Sequence, residues 1–149
     1  AYRARSEVEL RQRLLRRFPP QAVEEAIAAL KSQGYIDDAA FARQWREGRE
    51  ESRPRSAWLV RRELAQRGVD PETAQAATEG LDEAESAYRA GLQRLRALEG
   101  VGYEAFREKL YSYLRRRGFS YEVVRHAVER LWRESSNPGD GDEHRQGQQ

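Results

Sequence analysis

The feature that most constrains the fold of this chain is a sequence pattern that recurs every fifty residues. A pair of apolar residues four apart, set among arginines, occurs three times: Leu10 and Leu14, Val60 and Leu64, and Leu110 and Leu114. A short turn follows each pair, and its apolar residue is Phe18, Val69 or Phe119. Self-similarity at a fixed period is the signature of a repeat architecture.

A second helix is predicted after each of these turns. Counted from Phe18, Val69 and Phe119, the mostly apolar residues at offsets 5, 8, 9 and 12 coincide in the three copies. These offsets lie on one face of an α-helix. Longer helical stretches precede the second and third pairs, and no alternating strand pattern competes with them. The sequence therefore predicts about eight helices, over residues 6–17, 20–33, 38–52, 55–67, 71–79, 82–98, 103–117 and 120–134.

The predicted helices group into units of one long and two shorter helices. Only five residues precede Ser6, so we expect the first unit to be incomplete and to lack its long opening helix. Hydrophobic residues make up 38% of the chain and charged residues 35%, which favours an elongated shape over a deep core, and small repeats bury apolar surface by stacking on each other. We predict an all-α, elongated tandem array of three-helix repeats over residues 1–36, 37–81 and 82–134, followed by a disordered tail over 135–149.

The turn after the predicted second helix reads Gly-Tyr-Ile-Asp-Asp from Gly34 to Asp38. Gly34 can adopt the left-handed conformation that ends a helix, and we expect Tyr35 and the isoleucine beside it to pack inward. One of Asp37 and Asp38 should cap the helix that carries Phe41. The other aspartate either helps to hold the turn or contacts a partner.

Side chains that carry catalysis or bind metals are scarce in this sequence. There is no cysteine, and the two histidines, His126 and His144, stand apart from each other. No serine lies on a nucleophile turn, and no glycine-rich loop could hold a phosphate. We therefore expect no catalytic residue, no metal site, no cofactor and no enzymatic activity. No apolar run approaches 18 residues and no signal peptide is found, so we expect a cytoplasmic protein without a membrane span.

Basic charge is concentrated in arginines that recur at the same place in each repeat. Lysine occurs only at Lys31 and Lys109, and the net charge is +2. Arginine presents a planar fork that suits phosphates and carboxylates, although a solvated helix face would account for the same clusters. We take the clusters of the second and third repeats as candidate binding residues: Arg61, Arg62, Arg67, Arg115, Arg116 and Arg117.

These motifs together resemble the RecX family of bacterial regulators of the RecA recombinase. The resemblance runs from about residue 3 to residue 132 and is strongest in the Gly-Tyr-Ile-Asp-Asp motif of Gly34–Asp38, which is followed by Phe41-Ala42. The remaining matches are Arg5-Ser6 with Glu9-Leu10, Arg67-Gly68-Val69 and Arg116-Arg117-Gly118-Phe119. In the first repeat Pro19-Pro20 follows Phe18 and no glycine precedes it, which departs from the family pattern.

The resemblance implies a fold of three repeats of three helices and a role in binding. RecX proteins lie in the groove of the RecA filament on single-stranded DNA and oppose its ATP hydrolysis, strand exchange and co-protease action. We expect a monomer that binds this filament through the candidate arginines, with weak direct binding to DNA. An autonomous nucleic-acid-binding module needs the same arginines, and a structural adaptor is a third possibility. The sequence leaves these alternatives open.

Overall fold

Helices account for most of the chain in the computed structural model, which describes residues 5–136. Within that range there are eight α-helices, one short 3₁₀ helix between α6 and α7, and no strand. The helices are α1 (Glu7–Leu15), α2 (Pro20–Ser32), α3 (Asp38–Ser52), α4 (Ala57–Gln66), α5 (Pro71–Thr78), α6 (Glu83–Leu92), the 3₁₀ helix (Leu95–Leu98), α7 (Tyr103–Arg116) and α8 (Tyr121–Ser136). The all-α prediction is therefore confirmed. The predicted tail lies outside the described residues, except that Ser135 and Ser136 belong to α8.

Local sequence signals decide where these helices begin and end. The side chain of Ser6 accepts a hydrogen bond from the backbone N–H of Glu9 at 3.1 Å, and Asp70 caps α5 in the same way. Such caps satisfy backbone donors that the first turn of a helix leaves without a partner. Gly68 and Gly118 follow α4 and α7 with φ of 82° and 90°, a left-handed conformation that side chains other than glycine rarely adopt.

One predicted helix, over residues 82–98, is wrong in its second half. Helix α6 ends at Leu92, and the chain continues through a 3₁₀ helix whose bonds span three residues, as from the N–H of Ala97 to the carbonyl of Arg94 at 3.2 Å. Leucines three apart suit either geometry, so the sequence pattern does not distinguish them. The tighter turn places Leu98 in the core, where it is buried.

The helical spacing over residues 82–98 also predicts an apolar face made of Ala84, Tyr88, Leu92 and Leu95, and this prediction needs correction. Ala84 and Leu92 are exposed, whereas Ala87, Ala90 and Gly91 are buried. Helix α8 approaches closely on that side: a Cβ atom added to Gly91 would lie 2.3 Å from Cδ1 of Leu131. The small residues therefore face the core because only they leave room for α8.

The chain divides into two compact units. Among the described residues, one comprises residues 5–53 and 57–81, and the other comprises residues 54–56 and 82–136. In the first unit, Val23 and Ile27 of α2 pack with α1, and a second cluster joins Phe41 of α3 to Val60 and Leu64 of α4. Residues 54–56 belong to the second unit because the N–H of Ser56 donates to the carbonyl of Arg117 at 3.0 Å.

The second unit is built around α6, α7 and α8. Its core contains Phe106, Leu110 and Leu114 of α7 together with Val124 and Leu131 of α8. Each of these residues is nearly inaccessible to solvent. The corresponding leucines of α1, Leu10 and Leu14, are only half-buried.

Candidate functional site

Two of the candidate arginines of the first unit lie beside a groove between α4 and α5. Nη1 of Arg61 donates to Oγ1 of Thr78 at 3.3 Å, so this half-buried side chain also ties α4 to α5. Arg62 is exposed, with its guanidinium carbon 5.4 Å from the centroid of the Trp58 ring. Trp58 itself is 52% exposed. The groove has a volume of about 360 Å³ and combines this exposed indole with two cations.

The third arginine of this unit, Arg67, faces the protein instead. Its guanidinium carbon lies 3.8 Å from the centroid of the Trp45 ring, and its Nε lies 3.6 Å from Oε1 of Glu9. Its carbonyl accepts a hydrogen bond from Oγ of Ser6 at 3.0 Å. Arg67 thus joins α1 to the second repeat, and much of its guanidinium surface is already used within the molecule.

The three arginines at the end of α7 differ from one another. Arg115 donates from Nη1 to the carbonyl of Phe119 at 2.7 Å and lies 3.9 Å from the centroid of the exposed Tyr121 ring. Arg117 is half-buried against Tyr113, with its guanidinium carbon 5.1 Å from the ring centroid. Arg116 is exposed and lines a groove between α7 and the 3₁₀ helix.

The Gly-Tyr-Ile-Asp-Asp motif forms the junction between α2 and α3. Gly34 has a φ of 77°, and Oδ1 of Asp37 accepts from the N–H of Ala40 at 3.0 Å, so the predicted cap of the helix that carries Phe41 is confirmed. Phe41 is buried. The prediction that Tyr35 packs inward is wrong, because its side chain is 55% exposed. Its neighbour Ile36 is buried and anchors the turn alone.

Asp38 has a role that its neighbours in sequence did not indicate. Its Oδ1 accepts a hydrogen bond from the backbone N–H of Glu7 at 3.0 Å, across 31 positions of the chain. It therefore supplies an acceptor to the first turn of α1, which Ser6 caps as well. Local sequence reasoning finds caps three residues away, so it missed this contact between repeats.

Two further cations, Arg94 and Lys109, were also missed among the candidates. Both line the same groove as Arg116. Lys109 could have been found, because it stands seven residues before Arg116 on one face of α7. Arg94 could not, since it reaches the groove only because α6 ends at Leu92 and the chain turns there.

Surface hydrogen bonds and ion pairs shift the pKa values of several ionisable groups. A hydrogen bond with Lys31 Nζ, 3.1 Å from Glu7 Oε1, lowers the pKa of Glu7, and Arg11 acts in the same direction. In the second unit, the hydrogen bond between Tyr88 and Glu134 lowers the pKa of Glu134 and raises that of Tyr88. These pairs bridge helices and line none of the grooves described above, which is typical of structural ion pairs.

The accessible side chains of the described residues suit the recognition of charged and apolar surfaces. Residues 5–136 contain no group of three side chains that could hold a metal ion. No helix in this part of the chain is both long and apolar enough to span a bilayer. The accessible features are arginines beside exposed aromatic rings and a groove with a basic rim.

Comparison with known families decides the kind of protein. The sequence models of the first, second and third three-helix domains of RecX match residues 1–35, 37–77 and 82–128. The chain belongs to the RecX family. The matches follow one another along the chain in the order in which the RecX domains are numbered.

Relatives named "Regulatory protein RecX" are similar over most of the chain. The RecX of Chlorobium limicola is 33% identical over 131 residues, which cover 87% of this chain and 82% of the relative. The RecX of Thermobifida fusca is 34% identical, with 84% and 72% covered. The RecX of Chromohalobacter salexigens is 36% identical, with 89% and 87% covered.

Two solved RecX structures share the fold. A crystal structure of regulatory protein RecX superposes with a TM-score of 0.75 at 23% identity over 86% of this chain. The chain spans 65% of the length of that protein. RecX from Lactobacillus salivarius superposes with a TM-score of 0.74 at 18% identity, and 87% of each chain is covered.

Proposed function

We propose that this chain is a non-enzymatic regulator that binds the RecA filament on single-stranded DNA and lowers its ATPase, strand-exchange and co-protease activities. The observation that carries the proposal is the match to all three RecX domains, over residues 1–35, 37–77 and 82–128. The relatives are named as regulatory proteins. The accessible arginines described above supply surfaces for such binding, and the cytoplasm, where RecA works, is its proposed location.

The contacts are assigned to the exposed arginines rather than to all six candidates. Arg62, Arg115 and Arg116 present guanidinium groups at the surface. None of the three forms an ion pair with a carboxylate of the described residues. Arg61 and Arg117 contribute less because they are half-buried, and Arg67 serves the packing of α1. Asp37 and Asp38 hold the junction between α2 and α3 and join it to α1.

Several weak contacts in series would give the binding its strength. In this proposal the repeats over residues 1–36, 37–81 and 82–134 act as a single monomer, and the arginines of the second and third repeats meet neighbouring parts of the filament. Linked weak sites bind far more tightly than any one of them, because the second contact forms at a high effective concentration. A helical polymer offers such repeated sites.

The test is the ATPase rate of RecA on single-stranded DNA as the chain is titrated in. The chain should inhibit, and the triple variant R62Q/R115Q/R116Q should need at least about tenfold more protein for half-inhibition, since the loss of about 1.4 kcal/mol weakens binding tenfold. The matched control is R43Q/R125Q/R133Q, which removes three exposed arginines elsewhere. Circular dichroism should show unchanged helicity in both variants.

Two results would count against the proposal. If the chain leaves the ATPase rate unchanged although it binds the filament, it is an adaptor and not an inhibitor. If the triple variant inhibits as strongly as the control, the contacts lie elsewhere on the surface.

Direct binding of nucleic acid is the second candidate function, and exposed Trp58 beside Arg62 favours it. A base can stack on an exposed indole while arginine meets the phosphate, and each stacked base contributes about 1–3 kcal/mol. The discriminating measurement is fluorescence anisotropy with a labelled oligothymidine in the absence of RecA. Affinity for the bare oligonucleotide equal to that for the filament would favour this function, with Trp58→Ala as the variant that should weaken it.

A further inference from the structure

The groove between α7 and the 3₁₀ helix has a distinctive shape and composition. It has a volume of about 520 Å³ and exists because α6 ends at Leu92, after which the chain turns and runs beside α7. Its floor is apolar and consists of small aliphatic residues, the leucines of the core and one ring: Ala97, Leu98, Ala105, Leu110 and Tyr113.

The lining of this groove carries an excess of positive charge. Arg94, Lys109 and Arg116 contribute three cations, and Glu108 contributes the single carboxylate. Among residues 5–136, none of the three cations pairs with a carboxylate. Three cations around an apolar floor, with a single carboxylate among them, favour an anionic, partly apolar occupant.

We propose that this groove binds an acidic segment of a partner protein that carries an apolar side chain between its carboxylates. The carboxylates would meet Arg94, Lys109 and Arg116, and the apolar side chain would lie on Ala97 and Ala105. Binding of such a segment is a property beyond the RecA activity, because it depends on the chemistry of the groove alone and is measured without RecA.

A nucleic acid fits this groove less well than a polypeptide does. Its phosphates would match the cations, but its bases would need an open aromatic face. Tyr113 is only 8% exposed, and the guanidinium carbons of Arg94 and Arg117 lie 4.5 Å and 5.1 Å from its ring centroid. The accessible floor is aliphatic, which suits leucine or isoleucine better than a polar base.

The acidic segment at the end of this chain has the negative charge that the groove favours, but it lacks the apolar side chain. Asp140, Asp142 and Glu143 would supply negative charge, but the sequence from Asn137 to Gln149 contains no aliphatic side chain larger than proline and no aromatic ring besides the imidazole of His144. It could neutralise the rim and would leave the floor uncovered. A segment of another protein is therefore the favoured occupant.

The test is fluorescence anisotropy of a labelled eight-residue synthetic peptide in which aspartate and leucine alternate, titrated with the full chain. We expect saturable binding that weakens at least about tenfold in K109Q/R116Q and is unchanged in the matched control R125Q/R133Q. Ala97→Phe fills the groove without altering its charge and should weaken binding to a similar extent. A peptide with serine in place of leucine should bind about tenfold more weakly.

Three results would overturn the proposal. The first is a peptide affinity that K109Q/R116Q and A97F leave unchanged. The second is displacement of the probe by oligothymidine at an equal concentration of negative charge, which would make the groove a nucleic-acid site. The third is equal displacement by a synthetic peptide of residues 137–149, which would identify the chain's own end as the occupant. None of these results depends on the ATPase assay, so the two proposals fail separately.

Discussion

Two adjacent aspartates, Asp37 and Asp38, accept hydrogen bonds from different helices. Asp37 caps its own helix, and its partner Ala40 lies three residues away. Asp38 turns to α1 and accepts from the N–H of Glu7. Asp37 precedes α3 with an extended backbone, whereas Asp38 is the first residue of that helix, so the two carboxylates face different surroundings. The motif therefore stabilises one helix locally and joins it to a second helix from the preceding repeat.

Removing the carboxylate of Asp38 should loosen α1. Asp38→Ala leaves the N–H of Glu7 without this acceptor, and we expect a loss of about 1 kcal/mol in the free energy of unfolding, the usual cost of a lost cap. Asp38→Asn keeps an acceptor oxygen and should lose less than half of that. Urea denaturation measures both values, and hydrogen exchange should become faster at Glu7. Equal stability of the alanine and asparagine variants would contradict this role.

The ion pairs of Glu7 should make the free energy of unfolding depend on pH in the acidic range. Its pKa is lowered in the folded protein by the hydrogen bond with Lys31, so the folded state favours the ionised carboxylate. The resulting stabilisation is fully present above the ordinary glutamate pKa of about 4.3 and is lost as pH falls through the lower, folded pKa. Since these groups are partly exposed, the effect should stay within about 1 kcal/mol.

The comparison that checks this is wild type against Glu7→Gln, by urea denaturation from about pH 7 to about pH 3. The difference in unfolding free energy between the two should shrink over the acid end of that range. Glu104→Gln is the control, because Glu104 forms no ion pair with other residues of 5–136. A constant difference between wild type and Glu7→Gln at all pH values would show that the charge of Glu7 is not responsible.

At the level of elements, α6 and α3 occupy corresponding places in their repeats but pack differently. Helix α3 uses Phe41 and Trp45 against its neighbours, and α6 uses Ala87, Ala90 and Gly91. Small side chains let α8 come close to α6, whereas α3 contributes aromatic rings to the cluster that it forms with α4. The same repeat thus accommodates two packing solutions.

Substituting alanine for each of two glycines in these helices should change the stability of the protein in opposite directions. Gly91→Ala places a Cβ atom 2.3 Å from Cδ1 of Leu131, a fully buried side chain that can hardly move, and should destabilise the protein by about 1–3 kcal/mol. Gly48 lies in α3 with no atom within 4 Å of such a Cβ. Gly48→Ala should stabilise by up to about 1 kcal/mol, since glycine is a poor helix former.

Thermal and urea unfolding of both alanine variants measure these opposite effects. The Gly48 variant controls for the general benefit of alanine in a helix, so the steric cost at Gly91 is read from the difference between the two. If Gly91→Ala were as stable as Gly48→Ala, α8 would not approach α6 closely at this position.

At the level of the whole molecule, charge is nearly balanced but unevenly distributed. The net charge is +2, and the segment from Glu134 onward carries −3, which leaves +5 on the preceding residues. Attraction to a polyanion therefore depends on local clusters such as that of Arg115 and Arg116, and not on the overall charge.

Filament binding through such clusters should weaken as salt is raised. If the exposed arginines meet phosphates of single-stranded DNA, the log–log slope of affinity against salt should change by about −0.7 for each contact. Half-inhibition of the RecA ATPase measured between about 50 and 200 mM salt should follow this slope in the wild type and flatten in R62Q/R115Q/R116Q. Parallel slopes for the two proteins would indicate that these arginines do not contact phosphate.

The sequence by itself determined the helices and their order. The fifty-residue period, the apolar faces and the caps at Ser6, Asp37 and Asp70 are local signals, because a helix and its first turn depend on residues within about four positions. The same signals led to the family, since the Gly34–Asp38 motif is continuous in sequence. The prediction of one helix over residues 82–98 was wrong because the spacing of leucines alone cannot distinguish α-helical from 3₁₀ geometry.

Only the tertiary structure decided which side chains remain available for binding. Six arginines look alike in the sequence, yet Arg67 packs on Trp45 while Arg62 and Arg116 stay exposed. The groove that joins Arg94 to Lys109 and Arg116 likewise exists only after the chain turns at Leu92. Such contacts link residues far apart in the chain. A short-range sequence pattern therefore cannot predict which of several similar arginines packs against an aromatic ring or pairs with a carboxylate.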